Sequence, residues 1–361
     1  MKKLNYFSKS IFLLLFCFLS FQTFAQGDIT DLIKSGPKDA TSMAKAYLDP
    51  FFKGFGFGLN SGWFNSAKAK NLGRFDIRIQ ASGALVSTSD QSFDIRTLGL
   101  SNKTRLRDPS KFSSPTAFGA DADGPEMVIY DDNNVEIGTF NMLPGSGINL
   151  VPSPQVQITV GVIKNTDVSI RYTPKIGLGN TGNVQVLGFG IKHEITKLLL
   201  PGKSEKIIPI DIAVAAGFNQ ISLNYGIDQA NQLDNSESGQ DLKQRIEVEF
   251  VGYSFDAIIS KKIALFTPFV SVGYNTAKTD LGLLGDYIVR TKAPTLANPL
   301  PNSPDKFTTF KDPIVIKRDD ITGIRSSVGF SLHLAIFRLY GAYSIGEYQA
   351  YTAGIGVGIG K

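Results

Sequence analysis

The sequence is poor in the residues that most often carry chemistry: one cysteine, two histidines and one tryptophan. The cysteine, Cys17, lies in an apolar run near the start, without the small residue before it that a lipoprotein signal requires. Residues 1–25 read as a secretory signal: Lys2, Lys3 and Lys9, an apolar stretch over 11–19, then Thr23-Phe24-Ala25 before Gln26. Past that leader no cysteine remains, so disulfides and thiolate metal ligands are excluded. His193 and His333 are too few for a three-histidine zinc site, and no metal or other cofactor is expected. No apolar run of 18 or more residues follows the leader, which excludes a helical membrane span. The leader holds three of the 37 Lys+Arg and none of the 32 Asp+Glu, so the remainder is close to neutral, and no basic cluster points to nucleic acid. Gly177-Leu-Gly179-Asn-Thr-Gly182 fits the dinucleotide spacing, but a strand pattern follows it where a helix is required, so it reads as a turn.

What the chain has is 36 glycines, 26 phenylalanines, 12 tyrosines and a persistent two-residue alternation. Residues 51–86 are its clearest stretch and read as two strands joined by a polar turn. In the second, Phe75, Ile77, Ile79 and Ala81 share one face, and Asp76, Arg78, Gln80 and Ser82 share the other. The pattern returns over 156–173, 184–191, 207–226, 246–277, 324–336 and 339–359. In residues 324–336, Ile324, Val328, Phe330, Leu332, Leu334 and Ile336 oppose Arg325, Ser327, Gly329, Ser331 and His333. An oily wall and a wet wall on every strand predict an all-β fold: an antiparallel transmembrane β-barrel of about 12 strands, range 10 to 14, with a short N-terminal helical segment. The apolar phase slips between Phe218 and Ile221, which predicts a turn or bulge at Asn219-Gln220.

Outside this pattern, residues 26–50 carry helical spacing that breaks at Gly36-Pro37 and ends at Asp49-Pro50. They read as an amphipathic lead-in or as a plug entering the barrel. Gly54, Gly56 and Gly58 are candidate close-approach positions, because a glycine face lets backbones meet. Residues 51–361 are assigned to the barrel, with a non-membrane insert at about 87–153 in which MVIYDDNNVEIGTF is a hairpin signal. Residues 230–243 and 290–312 read as long polar loops.

Candidate lumen-lining residues are Asp76, Arg78, Arg171, Asp211, Glu247, Glu249, Arg325 and His333. A charge facing lipid at mid-membrane costs about 2–4 kcal/mol, so their phase implies an inward direction. Both signs occur, which suits a salt-bridged lattice or a selectivity-setting constriction. Ser331 and His333 share a face, yet their two-residue spacing on one strand is poor for a nucleophile and its base. No catalytic residue, and no enzyme, is expected.

The stretches KGFGFGLNSGWFNSAKAKNLGRFDIRI, LGFGIKHEITKLLLPGK and PIDIAVAAGF, with the signal junction before them, resemble a family of uncharacterised Gram-negative outer-membrane β-barrel proteins. More distantly the layout is similar to long-chain fatty-acid outer-membrane transporters, which pair an N-terminal plug with a barrel. The resemblance implies residence in the cell outer membrane, with outer-membrane lipid and the barrel assembly machinery as partners. It also implies a channel or transporter for small molecules, with a small hydrophobic ligand as the candidate cargo. A closed structural or surface-binding barrel is the alternative.

Overall fold

The computed structural model describes residues 32–178, 182–200, 210–227, 242–292 and 307–359. In chain order, helix α1 (Pro37–Asn60) leads through residues 61–74 into β1 (Phe75–Leu85). An insert then carries β2 (Ser92–Asp94), β3 (Thr104–Leu106), β4 (Ser113–Pro115), β5 (Glu126–Tyr130) and β6 (Glu136–Asn141). Next come β7 (Leu150–Ile163), β8 (Thr166–Leu178), β9 (Gly182–Glu194), the short helix α2 (Thr196–Leu199), β10 (Asp211–Gly226), β11 (Arg245–Ser260) and β12 (Phe266–Leu284). A small hairpin, β13 (Asp286–Arg290) and β14 (Phe307–Lys311), precedes β15 (Ile314–Leu334), β16 (Phe337–Ile345) and β17 (Gln349–Ile359).

Ten of these strands form one closed antiparallel barrel: β1, β7 to β12, and β15 to β17. β1 closes it by pairing with β17 on one side (Phe75 opposite Ile359) and with β7 on the other (Phe75 opposite Val160). Closure leaves no unpaired edge, which is the condition for placing strands in hydrocarbon. The count sits at the low end of the expected range because residues 51–60 are helical and Asp211–Gly226 form one strand where a break was expected. β12 has 19 residues and β15 has 21, against about 9–11 needed to cross a bilayer.

One end of the barrel has two tight connections, beside the longer β9–β10 link that starts there with α2. β7–β8 and β15–β16 each turn through two residues, with Asn165 (φ 64°) and Ala335 (φ 56°) in the left-handed region that such turns use. The start of β1 and the end of β17 lie at this same end. The opposite end carries the insert and the β13–β14 hairpin, and there β10 ends and β11 begins. The insert is a small β-lobe: β3, β5 and β6 form one sheet, β2 and β4 another, and β5 and β6 pair across the predicted hairpin with Asn134 left-handed in its turn.

The inside and outside of the barrel exchange character along its length. In the short-turn half, β1 points Asp76, Arg78, Gln80 and Ser82 inward, all buried, and Ile77 and Ile79 outward. There the outer face is apolar, with Ile324 69 % and Ile355 62 % exposed. In the long-loop half of β9 to β12 and β15 the arrangement inverts. Val184, Val186, Ile221, Phe250, Leu283 and Ile316 pack inside against α1, in one cluster with Phe52 and Leu59. Their polar strand neighbours Gln185, Ser222, Glu249, Asp280 and Lys317 face outward. A polar exterior over an apolar core is what a strand needs in water, and the reverse is what it needs in lipid.

This inversion corrects two sequence expectations. β10 runs without a break and keeps regular register with both neighbours through Asn219 and Gln220, so no bulge lies there. Its apolar residues simply change sides, from outward Val214 to inward Ile221. Glu247 and Glu249 do not line the lumen. They alternate with inward Val248 and Phe250, face outward, and accept hydrogen bonds from Asn224 and Gln220 across the outer surface.

Candidate functional site

The lumen is occupied by α1. Residues 51–60, expected as a strand, complete a 24-residue helix that passes through Pro50. Proline withdraws one backbone donor and glycine is a poor helix former, so local propensity argues against this helix. Tertiary burial overrides it. Phe52, Phe57 and Leu59 are buried, and Phe51, Phe52 and Phe55 stack around Phe250 of β11 with ring centroids 4.7–6.2 Å away. The helical segment therefore extends to Asn60 rather than ending at Pro50.

The three glycines face the wall on two sides. A Cβ on Gly54 would lie 2.6 Å from Val151 Cγ2, and one on Gly56 2.6 Å from Ala277 Cβ. Gly58 sits against Ser153 and Ser82. The helix backbone approaches β7 and β12 as closely as it does because these positions have no side chain.

α1 is anchored at both ends by partners outside itself. At the long-loop end, Asp39 in its first turn accepts from the Ser101 backbone N–H (2.9 Å) and hydroxyl (2.6 Å) of the insert. Tyr47 donates to the Pro144 carbonyl at 2.8 Å, and Met43 packs with Ile95, Met127 and Phe140. Midway, Arg318 of β15 pairs with Asp49 of the helix (2.6 Å) and with Asp320 (2.6 Å). Asp320 is the extra residue of a β-bulge opposite Ala277–Lys278, and Thr279 donates to it.

At the short-turn end the helix finishes without a basic residue in its last turn, and the wall supplies the cations. Arg171 of β8 donates from Nη1 to the Leu59 carbonyl (2.6 Å), from Nη2 to the Ser61 carbonyl (3.2 Å) and from Nε to Gln157 (2.9 Å). Arg78 of β1 donates from Nη2 to the carbonyls of Gly62 (2.9 Å) and Trp63. Gln155, Gln157, Gln80 and Asn219 donate to the carbonyls of Gly58, Trp63, Gly62 and Leu59. A helix C-terminus carries partial negative charge and orphan carbonyls, and here the barrel wall satisfies both. Arg171 makes no ion pair among the described residues; its charge faces that carbonyl cluster and lies 3.7 Å above the Trp63 ring. Trp63, 2 % exposed, fills a slot in the wall, where a Cβ on Gly190 or Gly217 would lie 2.8 or 2.5 Å from its ring.

The other candidates divide. Asp76 and Arg325 line the lumen in buried ion pairs, with Arg338 (3.2 Å) and Asp256 (3.0 Å) respectively. Asp211 faces inward at the short-turn rim and meets Lys68 at 3.2 Å. His333 lies near that rim, 3.5 Å from Ser331 Oγ. Trp63, Asp320 and Arg338 were not singled out from sequence. The signal for Trp63 was its being the lone tryptophan inside a glycine-flanked turn.

A family model described as a family of unknown function (DUF6588) matches residues 1–359. No curated protein matches the sequence. Among solved structures, the chain is similar to the translocator domain of the autotransporter NalP from Neisseria meningitidis. That match has 11 % identity and a TM-score of 0.28, covering 90 % of this chain and 98 % of that one. It is similar to the outer-membrane protease OmpT from Escherichia coli at 9 % identity and TM-score 0.32, over 79 % and 97 %. It is also similar to the toluene transporter TodX from Pseudomonas putida at 8 % identity and TM-score 0.26, over 86 % and 96 %. At such identities and scores these likenesses carry no argument about activity, and none is a specific link to fatty-acid transporters.

Proposed function

The chain belongs to DUF6588, a family of unknown function, and on that premise we propose that it is an outer-membrane channel for small molecules, closed at rest by its own helix α1. The observation that carries the reading is the chemistry of the wall around the helix C-terminus. Arg78, Gln80, Gln155, Gln157, Arg171 and Asn219 hold the plug through polar side chains and hydrogen bonds to its backbone. Water can replace each of those bonds at small net cost, so this wall stays wettable when the helix moves. An apolar wall would dewet and stay shut. The apolar belt outside the same half offers a surface for lipid contact, and with the leader expected from sequence it supports a reading of outer-membrane residence.

The test is conductance in planar bilayers. The unmodified protein is expected to be nearly silent, and Arg171→Met combined with Asp49→Asn to produce frequent openings. Equal silence from a double variant that still shows the heat-shifted gel band of a closed barrel would overturn the channel. One observation favours a second reading, a permanently closed barrel that presents the insert. α1 is tied to that insert by Asp39, Met43 and Tyr47, so opening must break contacts at both ends.

A further inference from the structure

At the short-turn end, below the C-terminus of α1, the wall and residues 63–70 enclose a recess of about 240 Å³. Its lining has six cationic side chains and three carboxylates. Each carboxylate is already engaged: Asp76 by Arg338 (3.2 Å) and Tyr340 (2.5 Å), Asp167 by Lys192 (3.0 Å), Asp211 by Lys68 (3.2 Å). Beside the neutral Thr267, Ser331 and His333, what is left over includes several donors. The Lys70 and Lys262 amines have no ion-pair or hydrogen-bond partner among the described residues. The buried side chains of Asn65 and Arg78, 6 % and 4 % exposed, each keep a donor, Nδ2 and Nε, with no acceptor. Buried donors without acceptors are costly and uncommon, and a cation surplus beside them calls for a partner that accepts and is negative. Phe64, Trp63 and Tyr340 form apolar walls on the same recess.

We infer that this recess is a binding site for a small oxyanion, the carboxylate or phosphate end of a compact ligand, entered from the short-turn face. Lys70 and Arg78 supply the charge, Asn65 a neutral donor, and the aromatic walls take any short apolar remainder. Burial, with Arg338 and Lys192 nearby, pushes the Lys70 amine down to about 8, a strain that a bound anion relieves. The site stands whether or not α1 ever moves.

The only tryptophan in the chain, Trp63, lines the recess, so its fluorescence reports occupancy directly. The full chain in a non-ionic detergent is titrated with sodium phosphate, sodium hexanoate and, as an uncharged counterpart, hexanol, with chloride holding ionic strength constant. Heats of mixing are measured alongside. A saturable response to phosphate or hexanoate but not to hexanol is expected, at least tenfold weaker in Lys70→Met and recovered in Lys70→Arg. Which anion saturates distinguishes a phosphate from a carboxylate ligand. A response no larger than that to chloride, silence in both fluorescence and heat, or equal affinity in Lys70→Met would overturn the site. The heat-shifted gel band of each variant shows that its barrel is intact.

Discussion

Arg171 on β8 donates to the carbonyl of Leu59 at 2.6 Å, so the barrel wall supplies the terminal cation that α1 lacks in its own last turn. A hydrogen bond from a charged donor contributes about 1.5–3 kcal/mol, and leaving buried carbonyls unpartnered costs more than the bond itself was worth. Replacing Arg171 by Met removes four such bonds, two to the plug and two to its supports Gln157 and Asn219. Lysine keeps the charge but not the fork that reaches Leu59 and Ser61 together. Trypsin should then cut after Lys68 or Lys70 far faster in Arg171→Met than in the unmodified protein, with Arg171→Lys in between. Equal digestion rates would show that the latch does not hold the plug.

The glycine contacts make a steric prediction. Gly217→Val brings branched methyls into the slot that Trp63 fills, and Gly54→Val does the same against Val151. Overpacking a filled site costs about 1–3 kcal/mol, and here the atoms in the way are the buried Trp63 ring and the Val151 side chain. Gly217→Val should shift Trp63 emission to longer wavelength as the indole is expelled to water. An unshifted spectrum with a normally folded barrel would show that the slot is looser than its geometry.

The exchange of polarity along the strands predicts where charge is tolerated. Val272 and Ile324 face outward in the apolar belt, whereas Glu249 faces outward beyond it. Val272→Arg should lower folding yield into liposomes by an amount corresponding to about 2–4 kcal/mol, while Glu249→Arg stays within about 0.5 kcal/mol. Similar losses at both positions would mean that the bilayer covers the long-loop half as well.

Lys70 gives a pH dependence with a definite sign. Its amine is pushed down to about 8 by burial, from 10.5. Between those values the unfolded chain binds the proton and the folded chain has released it, so this group makes the fold more stable as pH rises through 8 toward 10.5. Below pH 8 the cost of holding the buried charge is fully present. The temperature at which the gel band shifts should therefore rise more between pH 7 and 9.5 in the unmodified protein than in Lys70→Met. Identical pH profiles would remove Lys70 as the cause.

The short-turn half of the fold was legible in sequence because there each strand's burial follows a two-residue period with one sign. β1 and the lower half of β15 were read face by face. The long-loop half misled because alternation survives while its meaning reverses: Glu247 and Glu249 keep the strand period but stand outside, over an interior filled by Val248, Phe250 and Phe52. The same reversal at Phe218 and Ile221 mimicked a bulge. Residues 51–60 failed differently. Phe and Gly alternate there, yet a helix inside a barrel can bury phenylalanines all around itself, so the strand-like pattern carried no strand. The latch was half visible: Arg78 and Arg171 were picked out, but their targets are backbone carbonyls, which no side-chain pattern announces.

α1 and residues 61–74 together run from beneath the insert to the start of β1, so the plug is covalently continuous with the first stave of the barrel. A helix with its side chains is about 10–12 Å across, and the ten-stranded ring closes around it. β1 is also a partner in the seam with β17, so packing the helix and closing the ring draw on adjoining stretches of chain. A ring closed with the helix outside would differ from the native protein by its hollow lumen rather than by its strands.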